Sequence, residues 1–420
     1  ATAGGEVLDT GDSPVTERGL TWGRQRPLSL ANSDGRLVDG GVGIGTFAGD
    51  LTGLASGATY AVRAYAINAQ GTAYGEERIF TTLRVPPGNA LDFDGVDDHV
   101  VIADDPGLDL TAAYTIEAWI RPDSFSWLGG IVSKYHSSGA NGFTLRLGVT
   151  GNSRGIGFDQ LETADDLLTA GQWVHVAAVN DNGARALYLN GVAQTLSGTP
   201  ISVTANSEPI MIGVDYNTGT SGRFFDGRID EVRIWNTART ESDIRSGMCR
   251  ILDGDESGLV AYYRMDAISG TDVTDETGKG HHGVLTSMDD AYRVPSGAPL
   301  GHVSTWRYTD AWTGETVSLA HGDGDGITLS DVTGAPDGVQ IFRIDDVPNA
   351  VDPPAGWDRI ADLRHWGVFL VGGTSPAARV TYAYAGYPDN TDSYLAGFAG
   401  RMAADDPAWT GLAAIIDPEA

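Results

Sequence analysis

Cysteine is almost missing from this chain. Cys249 is the only one among 420 residues, so no disulfide can form within it. Its setting predicts a buried apolar residue rather than a reactive thiol. Lysine is nearly as scarce: Lys134 and Lys279 stand against 25 Arg, 43 Asp and 13 Glu. The net charge of −29 argues against nucleic acid as a partner, because duplex binding needs Lys and Arg to displace counterions. No run of about 18 apolar residues occurs, so no membrane span is expected. No Gly-x-Ser-x-Gly, phosphate loop or Cys/His pair is present. The start, Ala1-Thr2-Ala3-Gly4-Gly5, lacks the charged region and apolar stretch of a secretory leader and reads as the middle of something longer.

What the chain does have is glycine, 57 residues, and 41% hydrophobic residues. Without a strict Gly period it is not collagen-like, and a globular core is within reach. A highly acidic surface with little Lys keeps a protein soluble, and salt screens its self-repulsion. It resembles the proteins of salt-adapted organisms. A GC-rich genome that turns Lys codons into Arg is the alternative.

Nearly everything reads as short strands between Gly, Asn, Asp and Ser turns. That pattern signals sandwiches or barrels, not a parallel α/β sheet. The fold expected is all-β: three β-sandwich modules in tandem, at residues 1–84, 85–300 and 301–420. In the first, Tyr60-Ala61-Val62-Arg63-Ala64-Tyr65-Ala66-Ile67 alternates as a half-buried strand should. Leu54-x-x-Gly57-x-x-Tyr60 has the spacing of a tyrosine corner, and Trp22 fits an inward aromatic. The block resembles fibronectin type III-like modules of bacterial surface proteins. Such modules open with a further strand before Thr2–Val7, which is missing here. Either the chain was cut, or another molecule, a copy of itself included, supplies that strand at an open sheet edge. Val85-Pro86-Pro87-Gly88 reads as a stiff linker.

The middle block carries Leu91-Asp92-Phe93-Asp94-Gly95-Val96-Asp97-Asp98, Gln172-Trp173-Val174-His175-Val176-Ala177, Leu187-Tyr188-Leu189-Asn190-Gly191 and Gly227-Arg228-Ile229-Asp230-Glu231-Val232-Arg233-Ile234-Trp235. In this order they closely resemble a concanavalin A-like jelly roll of the laminin G/pentraxin type. Trp119, Trp173 and Trp235 lie in alternating strands and are assigned to the core. Thr240-x-x-Asp243 is a capping box that opens a short helix to Ser246. The last block, with strands such as Val339-Gln340-Ile341-Phe342-Arg343-Ile344, reads as a small sandwich. It resembles the Gly/Asp-rich β module that often follows laminin G-like domains in secreted bacterial proteins.

The resemblance implies a structural calcium in the jelly roll. Calcium takes about six to eight hard oxygens, and a Gly-containing acidic turn suits it. The expected ligands are Asp98 and Asp230, with turn carbonyls at Asp94 or Gly95 helping. The plainer possibility is a hairpin turn at Asp94-Gly95 with solvated carboxylates. His321-Gly322-Asp323-Gly324-Asp325-Gly326 looks like a calcium loop but lacks the EF-hand pattern, with Val332 where Glu belongs; a tight turn is expected instead. Jelly rolls of this type often hold sugars on a concave face or on end loops. The loop aromatics and amides Trp127, Tyr135, His136, Asn141, Tyr216 and Asn217 are the candidates, each of which can equally be packing or solvent-facing. Glycoside hydrolysis needs two carboxylates across a cleft. Asp230-Glu231 does not reproduce the Glu-x-Asp-x-x-Glu strand of related laminarinase-type jelly rolls, and Glu117 stands alone.

The expected function is therefore non-catalytic adhesion at a cell surface or in secreted form, with a glycan or surface protein as partner and calcium stiffening the loops. The alternatives are a subunit of an extracellular fibre built by strand addition, and an accessory part of a polysaccharide-degrading enzyme.

Overall fold

A computed structural model describes residues 2–24, 26–52, 54, 59–81, 88–135, 141–148, 154–215, 223–322, 324–345, 365–383, 398–400 and 410–412. Its elements are almost all strands, as the turn-rich sequence requires. Cα packing divides the chain into two compact units. One holds Ala1–Val85 with the short segments Asp253–Glu256 and Thr274–His281; the other holds the rest.

In the first unit, Thr2–Val7 pairs antiparallel with Gly45–Asp50. A second sheet runs Gly35–Asp39, Glu17–Gly23, Thr59–Asn68, Gly71–Tyr74, with Arg78–Thr81 also on the central Thr59–Asn68 strand. Leu20, Trp22, Phe47 and Tyr60 form the core, so Trp22 points inward as its strand position predicts. Its indole lies against Gly35, where an added Cβ would sit 2.3 Å from the ring; only glycine permits that approach. Tyr60 is buried and stacks on Phe80, centroids 5.8 Å apart. Gly57 of the expected tyrosine corner lies outside the described residues.

The second unit begins with two stacked antiparallel sheets. The first sheet has Ala113–Pro122 near its centre, flanked by Val174–Asp181 and Asp226–Trp235. Asn89–Asp94 and Leu259–Tyr263 both pair with Asp226–Trp235. The opposing sheet runs through Asn141–Leu147, Gly130–Tyr135, Ile210–Ile212, His99–Ile102 and Gly283–Thr286. Tyr114, Ile116, Ala118 and Ile120 face inward and meet Phe143, Leu145 and Leu147 from the other sheet. Period-two alternation thus builds the sandwich. Burying each of these aliphatic side chains contributes roughly 1.5–3 kcal/mol.

One expectation changes here. Asp94-Gly95 does not turn a hairpin. Asn89–Asp94 pairs in the first sheet and His99–Ile102 in the opposing one. Both strands are apolar enough to be central, and a chain leaving one sheet edge-on meets the other across the sandwich.

The helix runs Glu241–Gly247 and carries the expected reciprocal capping box between Thr240 and Asp243. Beyond it, Val303–Tyr308, Gly338–Ile344 and His365–Val371 form one three-stranded sheet. Val317–Ala320, Gly326–Thr333 and Ala377–Ala383 form another. Trp312, Leu329, Val339 and Ile341 fill the space between them. The His321 N–H donates to the Asp325 carbonyl at 2.7 Å and the Gly324 N–H to the His321 carbonyl at 3.1 Å; Asp323 of the expected turn lies outside the described residues.

Trp119, Trp173 and Trp235 belong to packing, but not between the two jelly-roll sheets. Trp119 and Trp235 are turned by their strands to the outer face of the first sheet, and Trp173, just ahead of the Val174–Asp181 strand, packs there with Trp119. There Trp119 joins Met248, Cys249, Leu300 and Val371, with Trp173 against them, and Trp235 joins Leu252, Leu259 and Tyr262. Cys249 is fully buried, and burial pushes its thiol up.

Candidate functional site

The outer faces of the two sheets differ. On the opposing sheet, Leu145 and Leu147 point inward, so Thr144 and Arg146 point out. Arg146 is only 2% exposed, bonds the Asp215 carboxylate, and lies with its guanidinium 5.9 Å from the Tyr135 ring. Arg223 reaches the same carboxylate oxygen at 3.2 Å and lies 5.4 Å from the Trp127 ring. Trp127 is 55% exposed. The result is one line of contacts, Trp127–Arg223–Asp215–Arg146–Tyr135. Asn141 stands opposite Tyr135 in the strand register. Arg146 Nε and Asp215 Oδ1 are buried and find no hydrogen-bond partner among the described residues.

This arrangement can do two things. Two guanidiniums sharing one carboxylate hold the aromatic rings in place. The exposed Trp127 face, with the partly exposed Arg223 beside it, suits a ligand with hydroxyls on one side and C–H groups on the other. Trp127, Tyr135 and Asn141 were nominated from sequence and are brought to this face. His136, Tyr216 and Asn217 lie outside the described residues. Arg146, Asp215 and Arg223 were not nominated. An arginine between leucines on a core strand is the one signal that could have pointed to Arg146.

The acidic turn is the second feature. Ligand oxygens of Asp94, Asp97 and Asp98 lie within 4.8 Å of one another. Asp94 Oδ1 accepts from the Val96 and Asp97 N–H groups, which folds the turn. Asp98 is fully buried; one oxygen accepts from the Asp94 N–H at 3.0 Å and the other has no partner among the described residues. Burial, with the Asp94 and Asp97 charges adding to it, pushes the Asp98 carboxyl up to about 6. Gly95 adopts φ +74°, and a Cβ there would come within 2.8 Å of Asp226, so the turn is drawn tight against that strand. Asp230 is not at this turn. Asp94 pairs with Asp226, and four further residues along a strand place Asp230 about 13 Å on. There it bonds Ser296 Oγ, and burial pushes its carboxyl well up.

The outer face of the first sheet is covered instead. Arg233 donates to Glu231 at 2.6 Å and to the Gly247 and Arg250 carbonyls, and the Tyr262 hydroxyl donates to Glu231 at 2.7 Å. Glu117 sits 3.4 Å from His175, both about 1% exposed. Glu117, Asp230 and Glu231 are thus enclosed rather than paired across an open cleft.

Residues 94–245 match the family model of the Concanavalin A-like lectin/glucanases superfamily, laminin G type. Pappalysin-1 of Mus musculus is 28% identical over 189 residues, which cover 39% of this chain and 11% of that protein. The chain therefore spans about a tenth of that relative's length. A protein from Bacteroides ovatus described as carbohydrate-binding overlays with a TM-score of 0.41 at 20% identity, covering 72% of this chain and 93% of its own. The sialyllactose-bound CBM40 of the Ruminococcus gnavus IT-sialidase overlays with a TM-score of 0.28 at 11% identity, covering 37% and 96%. At those scores the overlays carry no argument about what this chain binds.

Proposed function

We propose that the chain is a non-catalytic, extracellular recognition segment. Its jelly roll, residues 85–300, holds a glycan at the exposed Trp127 ring, beside the line of contacts that runs to Tyr135. The carrying observation is the contact line from Trp127 through Arg223, Asp215 and Arg146 to Tyr135. The match of residues 94–245 to a lectin/glucanase superfamily supports the ligand class. The enclosure of Glu117, Asp230 and Glu231 supports binding without hydrolysis, since a glycosidase needs its carboxylates on either side of an accessible bond. Among the described residues no helix is long and apolar enough to cross a membrane. The first unit acts as a fibronectin type III-like spacer; its two small sheets around Trp22 and Tyr60 support this.

Calcium belongs at the Asp94–Asp98 turn in this proposal. The fit rests on Asp98: a buried carboxylate with one unpartnered oxygen, beside two like charges. Asp98, Asp94 and Asp97 would hold the ion, which neutralises that repulsion and ties the two sheets together at the turn. Asp230 is left out of the set.

A glycan array with the full chain, with and without calcium, tests the function. Binding to a defined glycan class, lost at least tenfold in Trp127→Ala, is expected. No bound glycan, or a Trp127→Ala protein that binds as before, overturns it.

A further inference from the structure

We propose that two copies of this chain pair through one end of the first unit, where Leu8, Val42 and Ile44 stand in solvent. Val7 closes its ladder opposite Gly45. Leu8 and Ile44 are the next residues on the two strands, so they leave the ladder side by side. Val42 comes two residues earlier on the same loop. All three side chains are at least 65% exposed. Five of the thirteen large hydrophobic side chains exposed among the described residues lie in residues 1–85, a fifth of the chain, and three of the five are at this end. Single exposed aliphatics are ordinary; a group of them in one place marks a contact surface.

The loop does not expose them through slackness. Arg18 holds it from beneath: Nε donates to the Asp39 carboxylate at 2.7 Å, and Nη1 donates to the Gly43 and Gly45 carbonyls at 3.2 and 3.3 Å. Gly43 and Gly45 take φ +84° and +127°, which glycine adopts without a steric cost. Val42 and Ile44 are thus set outward by a fixed backbone, and little freedom is lost when they are covered. The Gly35–Asp39 strand leads into the loop. It is the outer strand of its sheet, paired among the described residues with Glu17–Gly23 only. Its free edge carries neither the Pro nor the Lys that blunt such strands. Val38 on it is exposed, and its Arg36 is bonded to Tyr65 and Glu17. Pairing of this edge with its copy adds backbone hydrogen bonds to the aliphatic contact.

Charge identifies the partner. Residues 40–49 include no charged side chain, and residues 1–85 hold nine acidic and seven basic ones, a net −2 of the chain's −29. The rest of the chain repels its own kind, so two copies approach at least cost here. An aliphatic patch is also complementary to itself, as a two-fold contact requires. Leu8, Val42 and Ile44 offer no ring to a sugar, and no Lys or Arg among residues 40–49 draws the loop to an anionic membrane. A pair joined here carries two of the proposed glycan sites in one particle, which raises avidity on a repetitive polymer without a new contact. That consequence rests on the glycan reading; the pairing itself does not.

Sedimentation equilibrium of the full chain tests it, in about 0.1 M and about 1 M NaCl. A monomer–dimer equilibrium is expected. The dimer should tighten as salt rises, because salt screens the −29 charge of each copy. Val42→Asp and Ile44→Lys, of opposite charge, should each weaken it tenfold or more and leave the melting temperature unchanged. If either melts early, Leu8→Ser carries the same expectation. Ile268→Asp, at an exposed aliphatic of the other unit, should leave the dimer as it is. A chain that stays monomeric in both salts, bound to phosphatidylcholine vesicles or not, overturns the proposal. So does a dimer that loosens with salt, survives the loop variants or is lost equally in Ile268→Asp, and so do open-ended oligomers. Only mass is read, so failure of the glycan site leaves this result standing, and the reverse.

Discussion

The two outer faces of the jelly roll start from the same rule and end differently. Each sheet alternates apolar residues inward with polar ones outward. On the first sheet the outward residues, Glu117, Trp119, His175, Arg233 and Trp235, are covered by the helix region and the C-terminal strands and are almost fully buried. On the opposing sheet Arg146 and Asp215 are buried, yet Trp127 beside them is mostly exposed. A covered polar face must satisfy every group internally and so becomes structure. Where a ring beside such a face stays exposed, as Trp127 does, it is left for a ligand. Tryptophan alone does not mark a binding site; what lies over its strand decides.

The largest effect should come from breaking the covered face. Arg233→Ala leaves Glu231 buried and removes donors from the Gly247 and Arg250 carbonyls. Losing one partner of a buried pair costs about 3–5 kcal/mol. Urea unfolding should show that loss, while the folded fraction still binds the Trp127–Tyr135 glycan. Adding Glu231→Leu should recover only part of it, because the two carbonyls stay unmet. Full recovery would mean that the ion pair alone mattered and that the covering segment is not held by Arg233.

Around Trp127 the balance should reverse. The Arg223 side chain is 19% exposed against 0% for Asp215, and Arg146 still serves the carboxylate when Arg223 is removed. Arg223→Ala should therefore cost about 1 kcal/mol or less but loosen Trp127 and weaken glycan binding several-fold. Thermal melts and calorimetry on one sample separate the two. A large loss of stability with unchanged binding would make this face structural as well.

Much of this was legible beforehand because it is local. Alternation around Ile116 and Leu145 and the Thr240–Asp243 cap depend on neighbours in sequence. Whether the Trp119 strand had one covered face or two did not, since the cover comes from Met248, Leu300 and Val371, far along the chain. The same holds for Asp94-Gly95. A tight acidic turn was readable, but not that its strands go to opposite sheets, which is a matter of pairing. Asp230 looked like a partner for Asp98 because both are aspartates in family-like motifs; strand register sets them apart. Arg223 and Asp215 were missed because neither stands in a pattern, and only the fold brings them to Arg146.

The smallest effect concerns the turn that joins the faces. The Asp98 carboxyl is raised to about 6 in the fold, chiefly by burial, against about 3.9 in an unfolded chain. A group raised in this way adds stability that is full below the unfolded value and is lost as pH rises through the folded one. In chelator, wild type should thus lose melting temperature between pH 4 and pH 7 by more than Asp98→Asn does, the other titrating groups cancelling in the difference. Calcium needs the ionised carboxylate. Millimolar calcium should raise the wild-type Tm at pH 7.5, do less at pH 5, and leave Asp98→Asn unmoved at both. If calcium lifts the two proteins equally, the ion binds elsewhere, and the turn holds the sheets together by its hydrogen bonds alone.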